Sequence, residues 1–188
     1  MRAPMKKVAR PITAKYLQNA AMFYLERYPS TAEGLRRVLN RRVAKAKMLE
    51  APIMDNVQQA ISVIVQKFVD AGMIDDKAFA QTKARALHRR GSSNKLTRQR
   101  LQHAGVDSET LAQAMAGLDE ELNTDPRKRE LAAAIALARR RKLGPYRPEK
   151  DRKDRRLKDL AAMARGGFDY QLARKVIDAV DPDALDEG

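Results

Sequence analysis

The chain has 188 residues, of which 44% are hydrophobic and 5% aromatic, and it contains no tryptophan. Its formal charge of +14 favours a polyanionic partner: nucleic acid, a nucleoprotein or an anionic membrane surface. The lack of cysteine excludes disulfides and thiolate chemistry, and no apolar run reaches the roughly 20 residues of a membrane span, so we expect a cytoplasmic protein without membrane contact.

Almost every segment carries apolar residues at the helical spacing, and no stretch shows the sustained alternation of a strand. Thr13 caps the first expected helix, and Ser30 or Thr31 caps the second. Asp55 opens the third helix, and Gly72 ends it. The first three helices are predicted at about 13–28, 31–47 and 56–71.

Cap residues mark the later helices in the same way. Asp75 or Asp76 caps the fourth helix, Ser92 or Ser93 the fifth, and Asp107 the sixth. The later helices are predicted at about 76–90, 93–104, 108–122, 126–142, 149–165 and 169–180.

Two segments are similar to each other along their length. "GVDSETLAQAM" (105–115) and "GFDYQLARKVI" (167–177) share a glycine, an apolar residue, an aspartate and a later Leu-Ala pair. Such similarity indicates tandem units. We therefore expect an all-α protein of three tandem three-helix repeats that form an elongated, curved molecule. The expected divisions are a flexible basic tail at 1–12, repeats at 13–72, 73–123 and 124–181, and an acidic tail at 182–188.

Cations are concentrated on several of these helices. Residues 77–106 hold eight lysines and arginines and no acid, and apolar residues lie among them at helical intervals. This pattern is typical of a helix with a basic face, although such a face can also serve only for solubility. Because it recurs along the chain, we favour phosphate contacts without base preference. The candidate nucleic-acid-binding or filament-binding residues are Arg36, Arg37, Arg41, Arg42, Arg85, Arg89, Arg90, Lys95, Arg98, Arg100, Arg139, Arg140, Arg141, Arg155 and Arg156.

The sequence gives little support for a base-reading motif or a metal site. The fifth and sixth helices have the outline of a helix-turn-helix, but the sixth begins with Asp107 and Glu109, which would face phosphates. Asp75 and Asp76 are better explained as caps than as metal ligands. We therefore expect no catalytic residue, no cofactor and no metal site.

The segment "GMIDDKAFAQTKARALHRRGSSNKLTRQRLQHAGVD" (72–107) resembles the central signature of the RecX family, bacterial regulators of the RecA recombinase. "LERYPSTAEGLRRVLNRRV" (25–43) is similar to the first basic helix of the family, and "GFDYQLARKVI" to its closing repeat. One departure is Thr97, where family members often carry an aliphatic residue; Leu96 can substitute for it after a slight rotation. The resemblance covers roughly residues 13–180.

This resemblance implies three tandem three-helix repeats, no catalysis, and binding to the RecA–DNA filament. The expected effect is inhibition of RecA ATPase, strand exchange and coprotease activity, which would modulate recombination, DNA repair and the SOS response. The expected partners of this monomer are the RecA filament and single-stranded DNA, with double-stranded DNA left open. The alternative is a general DNA- or RNA-binding protein that acts without a recombinase, and composition does not separate the two.

Overall fold

A computed structural model describes residues 10–181, and this range contains nine α-helices. Its extended pairing is limited to one isolated bridge between Ile12 and Ile53, so the predicted all-α class is confirmed. The acidic tail, and the basic tail up to residue 9, lie outside the described residues. The helices are α1 (Ala14–Leu25), α2 (Ala32–Met48), α3 (Val57–Asp70), α4 (Asp76–Arg89), α5 (Asn94–Ala104), α6 (Ser108–Glu121), α7 (Pro126–Arg141), α8 (Glu149–Arg165) and α9 (Tyr170–Ile177).

Most helices begin at a side chain that accepts a hydrogen bond from a backbone N–H of the first turn. This is how a short polar residue satisfies donors that the helix itself leaves unpaired. The predicted caps Thr13, Thr31, Ser93 and Asp107 are confirmed, and Asp125 and Asp169 cap α7 and α9 in the same way.

Two helix starts differ from the prediction or refine it. Asn56, not Asp55, precedes α3; it has a left-handed backbone with φ of +55° and makes no capping hydrogen bond. The prediction that Asp55 opens this helix is therefore wrong. Asp75 caps α4 through a 2.8 Å bond from the Ala78 N–H, while Asp76 accepts a 2.9 Å bond from the Ala32 N–H at the start of α2.

The chain forms two compact units that divide between Phe79 and Ala80, inside α4. In the first unit, the apolar faces of α1, α2 and α3 pack into one core, with Leu17, Leu39 and Ile61 fully buried. Ile12 belongs to this core although the sequence assigns it to the tail. Its N–H donates a 2.8 Å hydrogen bond to the Pro52 carbonyl.

In the second unit, a core cluster formed by α7, α8, α9 and the turns that join them lies wholly within the third predicted repeat. The similar segments at 105–115 and 167–177 form similar corners here. Gly105 and Gly167 have φ of +95° and +86°, and each is followed by a buried apolar residue, Val106 or Phe168. The sequence similarity thus corresponds to a shared local structure, while the exact repeat boundaries and the elongated shape stay predictions.

Candidate nucleic-acid interface

Five arginines line one cavity of about 360 Å³ in the second unit, and no carboxylate is among its lining residues. We call this the arginine cavity. Its charged lining residues are Arg90, Arg100, Arg140, Arg141 and Arg165. The sequence predicts the first four of these as phosphate contacts, and the fold brings them together.

The ends of three helices bring these cations to the cavity. Arg90 directly follows α4, Arg140 and Arg141 lie in the last turn of α7, and Arg165 is the last residue of α8. A cation is favoured at this end of a helix because unpaired carbonyls give it a partial negative charge. Arg165 is not among the residues predicted from the sequence, although its position before Gly166 and Gly167 marks it as the end of a basic helix.

The corner between α4 and α5 lies directly against α7. Gly91 has φ of +70°, and a Cβ atom added there would lie 2.7 Å from Leu137 Cα and 2.8 Å from the Ala133 carbonyl oxygen. The Ser93 N–H also donates a long hydrogen bond of 3.4 Å to the Gly166 carbonyl at the end of α8. The cavity is therefore built on close backbone contacts between elements distant in sequence.

The arginines of the cavity have few partners. Arg100 Nη1 donates a 3.1 Å hydrogen bond to Oγ of Ser92, a buried residue, which fixes the direction of this guanidinium. Within residues 10–181, the other four make no ion pair with a carboxylate. Like charges gathered in a concave surface create a strongly positive potential that attracts an anion.

Several other candidate residues already have acidic partners. Arg36 and Arg37 bond Glu33 at 2.9 and 3.0 Å, and the Arg36 bond lowers the pKa of that carboxyl group. Arg85 pairs with Glu121. Exposed ion pairs of this kind contribute only about 0–1 kcal/mol, so a phosphate can compete for these arginines.

Arg156 is held more firmly. Its Nε and Nη2 donate two hydrogen bonds to Asp178, each 2.7 Å long, which lower the pKa of that carboxyl group. This two-pronged geometry is the strongest that an arginine and a carboxylate can form. Arg156 is therefore a poorer candidate for phosphate contact than its neighbour Arg155, which is exposed and has no acidic partner in the described chain.

A smaller basic cavity of about 250 Å³ lies in the first unit. Arg10, Arg42 and Lys45 line it, and Arg42 Nη1 donates to the hydroxyl of Tyr16 at 3.4 Å. The remaining candidates are exposed and lie outside both cavities: Arg41, Arg89, Lys95, Arg98, Arg139 and Arg155.

The start of α6 does not suit base readout. Asp107 Oδ1 accepts two hydrogen bonds, from the N–H groups of Glu109 and Thr110, and the hydrogen bonds from Thr110, followed by that from Glu109, lower the pKa of Asp107. The carboxylate therefore stays charged at neutral pH at the point where a recognition helix would meet DNA. His88 is also unsuited to phosphate contact, because burial, reinforced by the positive charge of Arg129, lowers its pKa and favours the neutral ring.

The described residues contain no cluster of three or more histidine, cysteine or acidic side chains that could hold a metal ion. None of the helices in this part of the chain combines the length and the hydropathy that a membrane span requires.

Comparison with known proteins identifies the family. Residues 75–115, which contain all of α4 and α5, match the family model described as "RecX, second three-helix domain". Over 174 residues the chain is 36% identical to Regulatory protein RecX of Myxococcus xanthus, covering 92% of this chain and 90% of that relative. The chain belongs to the RecX family.

Further RecX proteins agree with this assignment. Regulatory protein RecX of Agrobacterium fabrum is 29% identical over 171 residues, covering 91% of this chain and 86% of that relative. The crystal structure of RecX from Lactobacillus salivarius has a TM-score of 0.57 at 20% identity and covers 89% of this chain and 96% of its own. A second RecX crystal structure has a TM-score of 0.54 at 19% identity, covering 88% and 72%. The RecX fold expected from the signature is thereby confirmed.

Proposed function

We propose that this RecX-family protein is a non-enzymatic regulator that binds the RecA–DNA filament. In this role it lowers the ATPase, strand-exchange and coprotease activities of RecA and so modulates recombination, DNA repair and the SOS response. It acts as a cytoplasmic monomer. The observation that carries the proposal is 36% identity to a RecX regulatory protein over 92% of the chain.

The charge distribution supports the DNA part of this proposal. A RecA filament contains phosphates, and each compact unit of this chain has its own basic cavity. Exposed cations outside the cavities add contacts that depend on charge and not on base identity. Such binding suits a regulator that must act on filaments of any sequence.

Linking several weak contacts in one chain explains how useful affinity can arise. Once one unit is bound, the next is held near its own site at a high effective concentration. A chain that occupies successive protomers in this way would obstruct the second DNA duplex. It would also restrict the protomer movements that accompany ATP turnover.

Co-sedimentation tests the partner directly. The protein is centrifuged at moderate salt with RecA filaments on single-stranded DNA, and in parallel with the same DNA alone. We expect tight association with the filament and weak, salt-sensitive association with DNA alone. Equal recovery in both samples would instead favour a general nucleic-acid-binding protein, the alternative that the net charge of +14 also supports.

A further inference from the structure

We propose that the arginine cavity is a discrete binding site for closely spaced phosphate groups, and that its occupant stabilises the second unit. This goes beyond the proposed function, because it concerns the protein alone and needs no recombinase. The inference rests on the charge of the cavity, its shape and the two sides from which its arginines come.

The charge exceeds what the helix ends can compensate. The negative end of a helix is equivalent to about half an elementary charge, so the ends of α4, α7 and α8 together supply about −1.5. Five guanidinium groups line the cavity, and its lining contains no carboxylate. A positive excess of about 3.5 charges therefore remains for a ligand.

Adjoining phosphates fit this excess better than one backbone phosphate does. A phosphate monoester carries about −1.5 to −2 at neutral pH and offers three acceptor oxygens. Guanidinium groups match this chemistry because each presents several N–H donors in one plane. The cavity volume of about 360 Å³ also falls in the range of about 300–1,000 Å³ found for small-molecule sites.

The arginines approach the cavity from two sides. Arg90 and Arg100 come from the end of α4 and from α5, whereas Arg140, Arg141 and Arg165 come from α7 and α8. Without an anion, the like charges on the two sides repel each other across the cavity. A bound phosphate cluster removes this repulsion and bonds to both sides, so ligand binding and the stability of the second unit are coupled.

Two sources can supply this chemistry: a free nucleoside polyphosphate, or the backbone of a nucleic-acid strand. Both present phosphates in sequence to the same guanidinium groups. Competition between two probes separates them, since a strand that enters the cavity must displace a small polyphosphate.

The test uses the full chain and inorganic tripolyphosphate as the probe, with ionic strength held constant by sodium chloride. Calorimetric titration measures affinity, and thermal unfolding measures stability. We expect saturable binding and a rise in melting temperature, both lost in the R140Q/R165Q variant, with affinity falling by about tenfold or more. The matched control is R127Q/K158Q, which removes one exposed cation from each of α7 and α8 outside the cavity.

An equal loss in the two double variants would show diffuse attraction to a basic protein, and the proposal would be wrong. The same holds if tripolyphosphate does not bind saturably. Should R140Q/R165Q fail to fold, the single variant R141Q carries the same comparison against R127Q on the same helix. Oligo(dT) without terminal phosphates is then added as a competitor. Weaker tripolyphosphate binding would show that a nucleic-acid strand enters the cavity, whereas unchanged tripolyphosphate binding would show that the occupant is a free polyphosphate. Either result is consistent with a phosphate site in the cavity. RecA is absent throughout, so failure here leaves the proposed function standing.

Discussion

Arg129 Nη1 donates a 2.9 Å hydrogen bond to the backbone carbonyl of Met115, and the Arg129 side chain is only 2% exposed. The same guanidinium forms an ion pair with Asp119, and its Nε donates to Asn94 Oδ1 at 3.1 Å. The next residue, Glu130, accepts a 2.6 Å bond from the Asn94 N–H. The first turn of α7 is thus bonded to α5 and α6.

Replacing Arg129 should destabilise the second unit strongly. The change R129A leaves the Met115 carbonyl without this donor and Asp119 without its cation, and breaking such a buried pair costs about 3–5 kcal/mol. Urea unfolding of the full chain measures the loss. The control R127Q, at an exposed position in the same turn, should change stability by less than about 0.5 kcal/mol. A loss below about 1 kcal/mol for R129A would contradict this role.

Gly91 and Gly72 form a matched pair for testing the close approach of the α4–α5 corner to α7. Both have positive φ, of +70° and +68°, so an alanine costs about 1–2 kcal/mol at either site. At Gly91 the new methyl group would also overlap the backbone of Leu137, whereas nothing lies within 4 Å at Gly72. Overlap of this kind adds about 1–3 kcal/mol. Denaturant unfolding should therefore show a larger loss for G91A than for G72A; equal losses would mean that the corner can move away from α7.

Glu130 should make the stability of the fold depend on pH. Burial raises its pKa above the ordinary value of 4.5, so the folded state binds this proton more readily than the unfolded state. Its contribution to stability is therefore present below about pH 4.5 and lost as pH rises through the folded pKa. Glutamine keeps an acceptor for the Asn94 N–H without the buried charge.

Thermal unfolding should accordingly find E130Q more stable than the unmodified protein at pH 7, with the difference shrinking toward pH 4. The control E120Q removes a carboxylate at an exposed position on α6 and should show no such trend. A lower melting temperature for E130Q at pH 7 would mean that its charge strengthens the bond to Asn94 more than burial weakens the fold.

Arg155 and Arg156 are neighbours that should differ in DNA binding. Arg155 is exposed and has no acidic partner in the described residues, while Arg156 is bonded twice to Asp178. If α8 contacts single-stranded DNA, R155Q should flatten the dependence of log affinity on log salt by roughly 0.7. R156Q should leave that slope almost unchanged. The reverse order, measured by fluorescence anisotropy over a salt series, would contradict the assignment.

The helices were predictable because their signals are local. The bounds of α8 match the prediction, and α2 begins and ends within one residue of it. Asp76 shows the limit of such reasoning: its bond to the Ala32 N–H joins residues 44 positions apart, which no cap rule anticipates. At α9, the helix ends at Ile177, three residues before the prediction, where Arg156 holds Asp178 from α8.

The candidate site was predictable only in part. The run of cations in residues 77–106 is visible in the sequence, and it identified Arg90 and Arg100. Their meeting with Arg140, Arg141 and Arg165 depends on the packing of helix ends, which periodicity does not reveal. Likewise, Arg129 is one of many cations in the sequence, and only the fold shows that it is buried.

RecA ATPase on single-stranded DNA, titrated with the full-length protein, tests the central claim most directly. We expect ATP turnover to fall at substoichiometric ratios of this protein to RecA, because a chain that lies across several protomers restrains more than one of them. The protein alone should show no ATPase or nuclease activity. Undiminished RecA ATPase at an equimolar ratio, with strand exchange and coprotease activity also intact, would contradict the account and leave a nucleic-acid-binding protein that acts without RecA.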